Sequence, residues 1–286
     1  MQKGRRLPVW LRMQRASGGN YTMVKHLVAE KRLNTICTSG NCPNIGECWN
    51  AGTATFMILG DICTRACKFC ATRTGRPQRA DPEEPARLAS AIKTMHLRHC
   101  VITSVDRDDM PDGGASFWAE TILTVRRENP TVTIETLIPD FDGKHEYIAK
   151  VIAAGPEVIS HNLETVRRLT PFIRTKAKYD TSLEVLRYLV ASGITAKSGF
   201  MLGLGETEEE VLQTIRDIRE TGCAILTIGQ YLQPTTGHIE VVEYVPPEKF
   251  AEYRRFALDL GYRFVESGPL VRSSYHAEKH VNGQKI

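Results

Sequence analysis

The chain has 286 residues, 42% of them hydrophobic and 24% charged, with a formal net charge of +4. This is the composition of an ordinary globular protein with room for one large domain. No apolar run reaches the eighteen or so residues that cross a bilayer, and so mild a charge gives no ground for expecting nucleic acid as a partner.

At the N-terminus, Leu7-Pro8-Val9-Trp10-Leu11 is interrupted by Pro8 and closed by Arg12. It is too short and too charged for a signal-peptide core, so a reducing cytoplasm is expected. Before Cys37 stand Lys3, Arg5, Arg6, Arg12, Arg15, Lys25, Lys31 and Arg32 against the single acid Glu30. That arm is either a solvated terminus or a surface that draws an acidic partner.

Six of the eight cysteines then fall within residues 37–70, as Cys37-x4-Cys42-x5-Cys48 and Cys63-x3-Cys67-x2-Cys70. In a reducing compartment such crowding points to metal rather than disulfides. Zinc is the ordinary choice, but structural zinc favours four closed ligands, often with histidine, and no histidine lies near either triplet. Three thiolates on a four-iron cluster leave one iron open to another ligand, which is what a catalytic cluster needs.

Strand-type runs are expected at 55–60, 99–105, 132–137, 157–161, 194–202 and 224–231. They alternate with helix-type stretches at 82–95, 115–128, 144–154, 181–192 and 208–220. The alternation predicts βαβ units on a parallel sheet. Six units are too few for an eight-stranded barrel, so an incomplete (β/α)6 barrel is expected, with a doubly wound sheet as the alternative. Polar or glycine-rich turns follow several strands, among them Asp106-Arg107-Asp108-Asp109 and Gly203-Leu204-Gly205-Glu206, and ligands of parallel α/β folds bind at the carboxyl ends of strands. Cys100 and Cys223, alone in strand contexts, read as buried packing.

The Cys-x3-Cys-x2-Cys spacing just after the first strand resembles the signature of the radical S-adenosylmethionine (SAM) superfamily. The run Gly199-Phe200-Met201-Leu202-Gly203-Leu204-Gly205-Glu206 is similar to the superfamily's adenine-lining motif. The superfamily's glycine-glycine-glutamate stretch appears as Asp112-Gly113-Gly114-Ala115, without its acid, so backbone carbonyls would have to hold the SAM amino group. The upstream run Cys37-Thr38-Ser39-Gly40-Asn41-Cys42-Pro43-Asn44-Ile45-Gly46-Glu47-Cys48-Trp49 resembles the auxiliary-cluster motif of the lipoyl synthase family. Matches to that family continue through Thr103–Asp109, 135–141, 161–165, Lys197-Ser198-Gly199 and 227–234 to Arg272-Ser273-Ser274-Tyr275. Thr38 and Ser39 depart from the acidic residues often found there.

The resemblance implies an N-terminal extension (1–52) with the auxiliary cysteines, a radical SAM partial barrel (53–245) and a C-terminal extension (246–286). It implies two 4Fe–4S clusters, one on Cys63, Cys67 and Cys70 with SAM at its open iron, the other on Cys37, Cys42, Cys48 and Ser274, with Ser273 as the lesser candidate. Serine oxygen is a harder ligand than thiolate and poorly matched to iron–sulfur chemistry, so it makes a weak corner for a cluster that surrenders sulfur. SAM contacts are expected from Phe69, Thr103, Glu135, Asn162, Met201 and Gln230, with Arg174 and Ser182 on its carboxylate. The implied reaction takes hydrogen from carbons 6 and 8 of a protein-bound octanoyl-lysine and inserts two sulfurs drawn from the auxiliary cluster. The implied partners are octanoylated lipoyl domains of 2-oxo acid dehydrogenases or the glycine cleavage H protein, and a reductant such as flavodoxin or ferredoxin, with the enzyme a monomer. A tRNA methylthiotransferase is the alternative, although such enzymes carry extra flanking domains. Biotin synthase draws its second-cluster ligands from barrel strands instead. A zinc-scaffolded binding protein or an electron carrier is the non-catalytic rival.

Overall fold

A computed structural model describes residues 7–12 and 17–281. The expected basic residues Lys3, Arg5, Arg6 and Arg15 lie outside them. A 3-10 turn (Val9–Leu11) precedes α1 (Gly19–Glu30), and then β1 (Asn34–Thr35), α2 (Ile36–Ser39) and α3 (Ile45–Asn50) carry the first cysteine triplet. β2 (Thr55–Ile58) opens the main sheet, and β3 (Ile62–Cys63) and β4 (Arg73–Thr74) form a small two-stranded ribbon around the second triplet.

From there strand and helix alternate: α4 (Glu84–Thr94), β5 (His99–Ser104), α5 (Ala115–Glu128), β6 (Thr133–Leu137), α6 (His145–Ala153) and β7 (Val158–Ser160). The short α7 (Thr170–Ile173) precedes α8 (Tyr179–Ala191), β8 (Thr195–Leu202), α9 (Glu208–Glu220) and β9 (Ile225–Gln230). α10 (Pro247–Asp259), β10 (Phe264–Gly268) and α11 (Ala277–Val281) complete the described residues. β2 and β9 are buried along their whole length, as strands covered on both faces must be. Local sequence sets the helix starts. Thr207 and Glu210 close a capping box on α9, whose first turn carries Glu208, Glu209 and Glu210 against the positive end of the helix dipole.

The main sheet has eight strands in the order β1-β2-β5-β6-β7-β8-β9-β10. All neighbours are parallel except β1, which pairs antiparallel with β2. The six expected strands are its centre, and β1 and β10 extend it on either side. The extensions expected at 1–52 and 246–286 are therefore continuous with the barrel sheet. Neither added strand has a sequence signal of its own: β1 is two residues long, and Phe264-Val265-Glu266-Ser267-Gly268 holds two apolar residues. Residues 270–281 close the structure by reaching β2 through Ser274–Thr55, the end of β7 through Ser273–Asn162, and β9 through Arg272 on the Gln230 carbonyl. One short segment touches strands so far apart in the sheet only because the sheet curls around it. Cys100 and Cys223 are fully buried, their thiols pushed up to about 12 by burial. Among the described residues no helix is long and apolar enough to cross a membrane.

Candidate active site

The two cysteine triplets lie at opposite ends of the strands, Cys63, Cys67 and Cys70 beyond the carboxyl end of β2 and Cys37, Cys42 and Cys48 beside its amino end. β2 ends at Ile58, and Leu59 and Gly60, both at positive φ, turn the chain toward Cys63. The Cys63 sulfur accepts the backbone N–H groups of Arg65 (3.4 Å) and Asp106 (3.3 Å), the latter just past the end of β5. Cys70 N–H closes a turn on the Cys67 carbonyl at 3.0 Å, and the Cys70 carbonyl accepts His238 Nε2–H at 3.0 Å. Lys68 N–H reaches the Ile173 carbonyl and Ala66 N–H the Thr175 hydroxyl, so the loop is bound to α7 as well as to β5. Beside it Phe69 and Met201 pack with Ile173, Leu204 and Tyr231 in an apolar patch separate from the main core. Glu206 closes the glycine turn by accepting the N–H groups of Gly203 (2.5 Å) and Leu204 (2.9 Å).

The remaining expected SAM contacts are buried polar residues with definite partners. Arg174 is buried at the end of α7. It donates to the Ser182 hydroxyl (2.8 Å) and the Leu163 carbonyl (3.3 Å). Burial, followed by the charge of Arg174, holds the His161 imidazole at about 4, so the ring is neutral. Its Nδ1–H then donates to the Ile138 carbonyl (3.0 Å), and Nε2 accepts the Ser182 O–H (2.9 Å). Thr103 donates to the Leu137 carbonyl at 3.1 Å. Glu135 is paired with Lys197 at 2.7 Å, each side chain 1% exposed, and one Glu135 oxygen has no hydrogen bond. Gln230 spends its amide hydrogens on the carbonyls of Leu202, Tyr231 and Glu243, and its oxygen accepts Val245 N–H. It is a staple between the ends of β8 and β9 and the loop beyond, with one lone pair left for any other role. Ala115 stands where the superfamily has glutamate, and Asp112, before the glycine pair, accepts Gly114 N–H and the Ser116 N–H and O–H at the start of α5 and pairs with Lys150.

At the other end of the strands, Cys37, Cys42, Cys48 and Ser274 line one cavity of about 1210 Å³, which also touches Thr55, His99 and Thr133, the first residues of β2, β5 and β6. Cys42 N–H bonds the Cys37 carbonyl at 3.0 Å. Asn41, at φ +48, turns the chain between them. The C-terminal segment is fastened to this wall by Asn44 Nδ2 on the Leu270 carbonyl (2.7 Å) and Tyr275 Oη on Glu47 (3.2 Å). Ser274 Oγ accepts the Thr55 hydroxyl at 2.7 Å. Ser273, its neighbour, accepts Asn162 Nδ2 at 2.7 Å and is absent from the cavity wall.

The donor chemistry of both triplets fits iron–sulfur clusters. All eight cysteines are free thiols. Burial pushes Cys37, Cys42, Cys67 and Cys70 up, and raises Cys48 and Cys63 to about 12, with neighbouring negative charge adding to both. Such thiols ionise only when metal displaces their protons. Among the described residues no three His, Cys, Asp or Glu side chains are arranged to hold one metal ion. A single ion needs its ligands converging within about 2.3 Å of one point, whereas each thiolate of a cubane reaches a different iron. Sequence reasoning did not single out Thr55, Arg65, Lys197 or Arg272. Arg65 sits inside the cysteine motif and Lys197 in a matched segment, but nothing local marks either as a buried charge.

A family model for the radical SAM superfamily matches residues 57–218. The lipoyl synthase of Flavobacterium johnsoniae is 58% identical over 275 residues, covering 96% of each chain. The mitochondrial lipoyl synthase of Nematostella vectensis is 58% identical over 276 residues, covering 96% of this chain and 95% of that one. Among solved structures, methylornithine synthase superposes with a TM-score of 0.54 at 14% identity, over 88% of this chain and 79% of that one, a likeness of fold alone.

Proposed function

The chain belongs to the lipoyl synthase family of the radical SAM superfamily, and from that premise we propose how its residues divide the work. It is a radical SAM sulfurtransferase that forms lipoyl groups on lipoyl carrier proteins, with 4Fe–4S clusters and SAM as cofactors. The methylthiotransferase alternative is not favoured. When bound, the clusters and SAM supply the hydrogen-abstracting radical and the sulfur.

In our reading Cys63, Cys67 and Cys70 hold the cluster that binds SAM, and Cys37, Cys42, Cys48 and Ser274 hold the auxiliary cluster that donates sulfur to carbons 6 and 8 of an octanoyl-lysine. One observation carries the division: the triplets lie at opposite ends of the strands, and of the two serines in the Arg-Ser-Ser-Tyr run only Ser274 lines the cavity beside Cys37, Cys42 and Cys48. Phe69 and Met201 suit the adenine face through their shared apolar patch. Arg174 suits the SAM carboxylate, its guanidinium held by Ser182 and so turned to a fixed direction. Asn162 has one amide oxygen without a partner, which leaves an acceptor for a donor on SAM or substrate. Thr103, Glu135, Ser182 and Gln230 orient their neighbours through the bonds described above.

The finer partners belong to the same proposal. They are the lipoyl domains of 2-oxo acid dehydrogenases and the glycine cleavage H protein, a flavodoxin or ferredoxin as reductant, a monomeric enzyme, and a cytoplasmic location that suits eight free thiols. The test is anaerobic incubation with SAM, a low-potential reductant and an octanoyl-lysyl peptide, followed by mass spectrometry. A mass gain corresponding to two sulfurs is expected. Cys63→Ala should abolish both 5′-deoxyadenosine and product, whereas Cys37→Ala should keep 5′-deoxyadenosine and lose sulfur insertion. Equal behaviour of the two variants would overturn the division of labour.

A further inference from the structure

Arg65 lies between the first two cysteines of the Cys63-x3-Cys67-x2-Cys70 loop, and its side chain is 4% exposed. It gathers four carboxylates. Its Nε and Nη2 grip Asp108 at 2.9 Å each, Nη2 also meets Asp140 at 2.8 Å and Asp142 at 3.4 Å, and Nε stands 3.4 Å from Asp106. Asp106 and Asp108 follow β5, and Asp140 and Asp142 follow β6, so one guanidinium ties the cysteine loop to the ends of two strands. Lys176 adds a second cation, bonded to Asp108 (3.0 Å) and Asp142 (2.8 Å). Four carboxylates against these two cations leave the group formally at −2 with Arg65 and at −3 without it.

This cluster of charge is joined directly to the first cysteine. The backbone N–H groups of Arg65 and Asp106 are the two donors to the Cys63 sulfur, and the Asp106 carboxylate lies 3.6 Å from it. Reduction of a cluster on that sulfur adds one electron, from an external low-potential reductant, close to the carboxylates. In a buried site a nearby negative charge opposes that electron and a nearby cation or N–H donor favours it.

We propose that Arg65 is a positioning residue for the radical cluster. It holds the Arg65 and Asp106 N–H donors on the Cys63 sulfur and offsets the surrounding carboxylates, so the cluster is reducible while its loop stays fixed. The proposal rests on the assignment of Cys63, Cys67 and Cys70 to that cluster, and the experiment separates the two. A variant with all three cysteines changed to alanine should lose one cluster's iron and its low-temperature EPR signal. Retention of both would overturn the assignment itself.

With the assignment standing, the midpoint potential of the radical cluster is followed by EPR-monitored titration with a chemical reductant, the auxiliary cluster in the same sample reporting that the chain is folded. Arg65→Gln should shift the midpoint downward, Asp108→Asn should shift it upward, and Arg65→Lys should fall between Arg65→Gln and the parent. The auxiliary signal should not move. A role confined to folding would move neither midpoint, or both in one direction. Shifts of the same sign, or none, in Arg65→Gln and Asp108→Asn overturn the proposal, and if Arg65→Gln fails to assemble, an unshifted Asp108→Asn does so alone.

Discussion

Ser273 and Ser274 are adjacent in the chain yet serve different rooms, one bonded to Asn162 at the end of β7 and the other to Thr55 on the cavity wall. Ser274→Ala should therefore leave 5′-deoxyadenosine production intact and lower sulfur insertion by at least tenfold, whereas Ser273→Ala should lower it far less. Product mass and 5′-deoxyadenosine measured on the same sample decide this, and a greater loss in Ser273→Ala would reverse the assignment. At this scale the sequence displayed the cysteines through their spacing alone, because each triplet falls within one short stretch of chain. It did not display the partners of the serines. Thr55 lies 219 residues from Ser274 and Asn162 lies 111 from Ser273, so no local pattern links them.

Among the elements, β6 and β8 are joined across β7 by the Glu135–Lys197 pair, with Ser160 of β7 donating to the same carboxylate at 3.2 Å. His280 of α11 stands 3.5 Å from the Lys197 amine. Removing one partner leaves the other charge buried and unpaired. Lys197→Met should thus cost about 3–5 kcal/mol, and Lys197→Met with Glu135→Leu should recover most of it. Urea unfolding midpoints of the two variants test this, and a double variant no more stable than the single would argue against a paired role. The central strands and the helices that follow them were legible from apolar runs and 3.6-residue spacing. Lys197 was not legible as a core residue because a lysine in a strand is ordinarily solvated. The flanking β1 and β10 were missed because short strands pair only when a ready edge is offered, and that edge exists only after β2 and β9 have formed.

For the molecule as a whole, the C-terminal segment is the closure. Ending the chain before Leu270 would remove Ser274, Arg272, Tyr275 and α11 together, and with them the fastenings to Asn44, Glu47 and Thr55. Such a chain should hold about four irons in place of about eight, two four-iron clusters reduced to one, and iron analysis with EPR should identify the survivor as the radical cluster. Stability should also depend on acid. Burial first, then Arg174 for His161 and Lys197 for His280, hold these imidazoles at about 4 and about 3, and His99 is lowered by burial as well. Their folded values lie below the unfolded value near 6.5, so the unfolded chain binds more protons and stability falls as pH drops from about 6.5 toward 4. Urea midpoints level above pH 7 and declining through that window are expected, and His161→Gln should flatten part of the decline.

The sequence by itself determined the chemistry and the repeating core: thiol triplets at fixed spacing, apolar strands alternating with amphipathic helices, and glycine turns at strand ends. These are settled within a few residues of chain, where spacing and periodicity dictate geometry. Only the tertiary structure decided which serine faces the first triplet, that Arg65 gathers the acids of two strand ends, and that β1 and β10 complete the sheet. Each of those depends on side chains brought together from distant positions, and a contact of that kind has no periodicity from which it can be read.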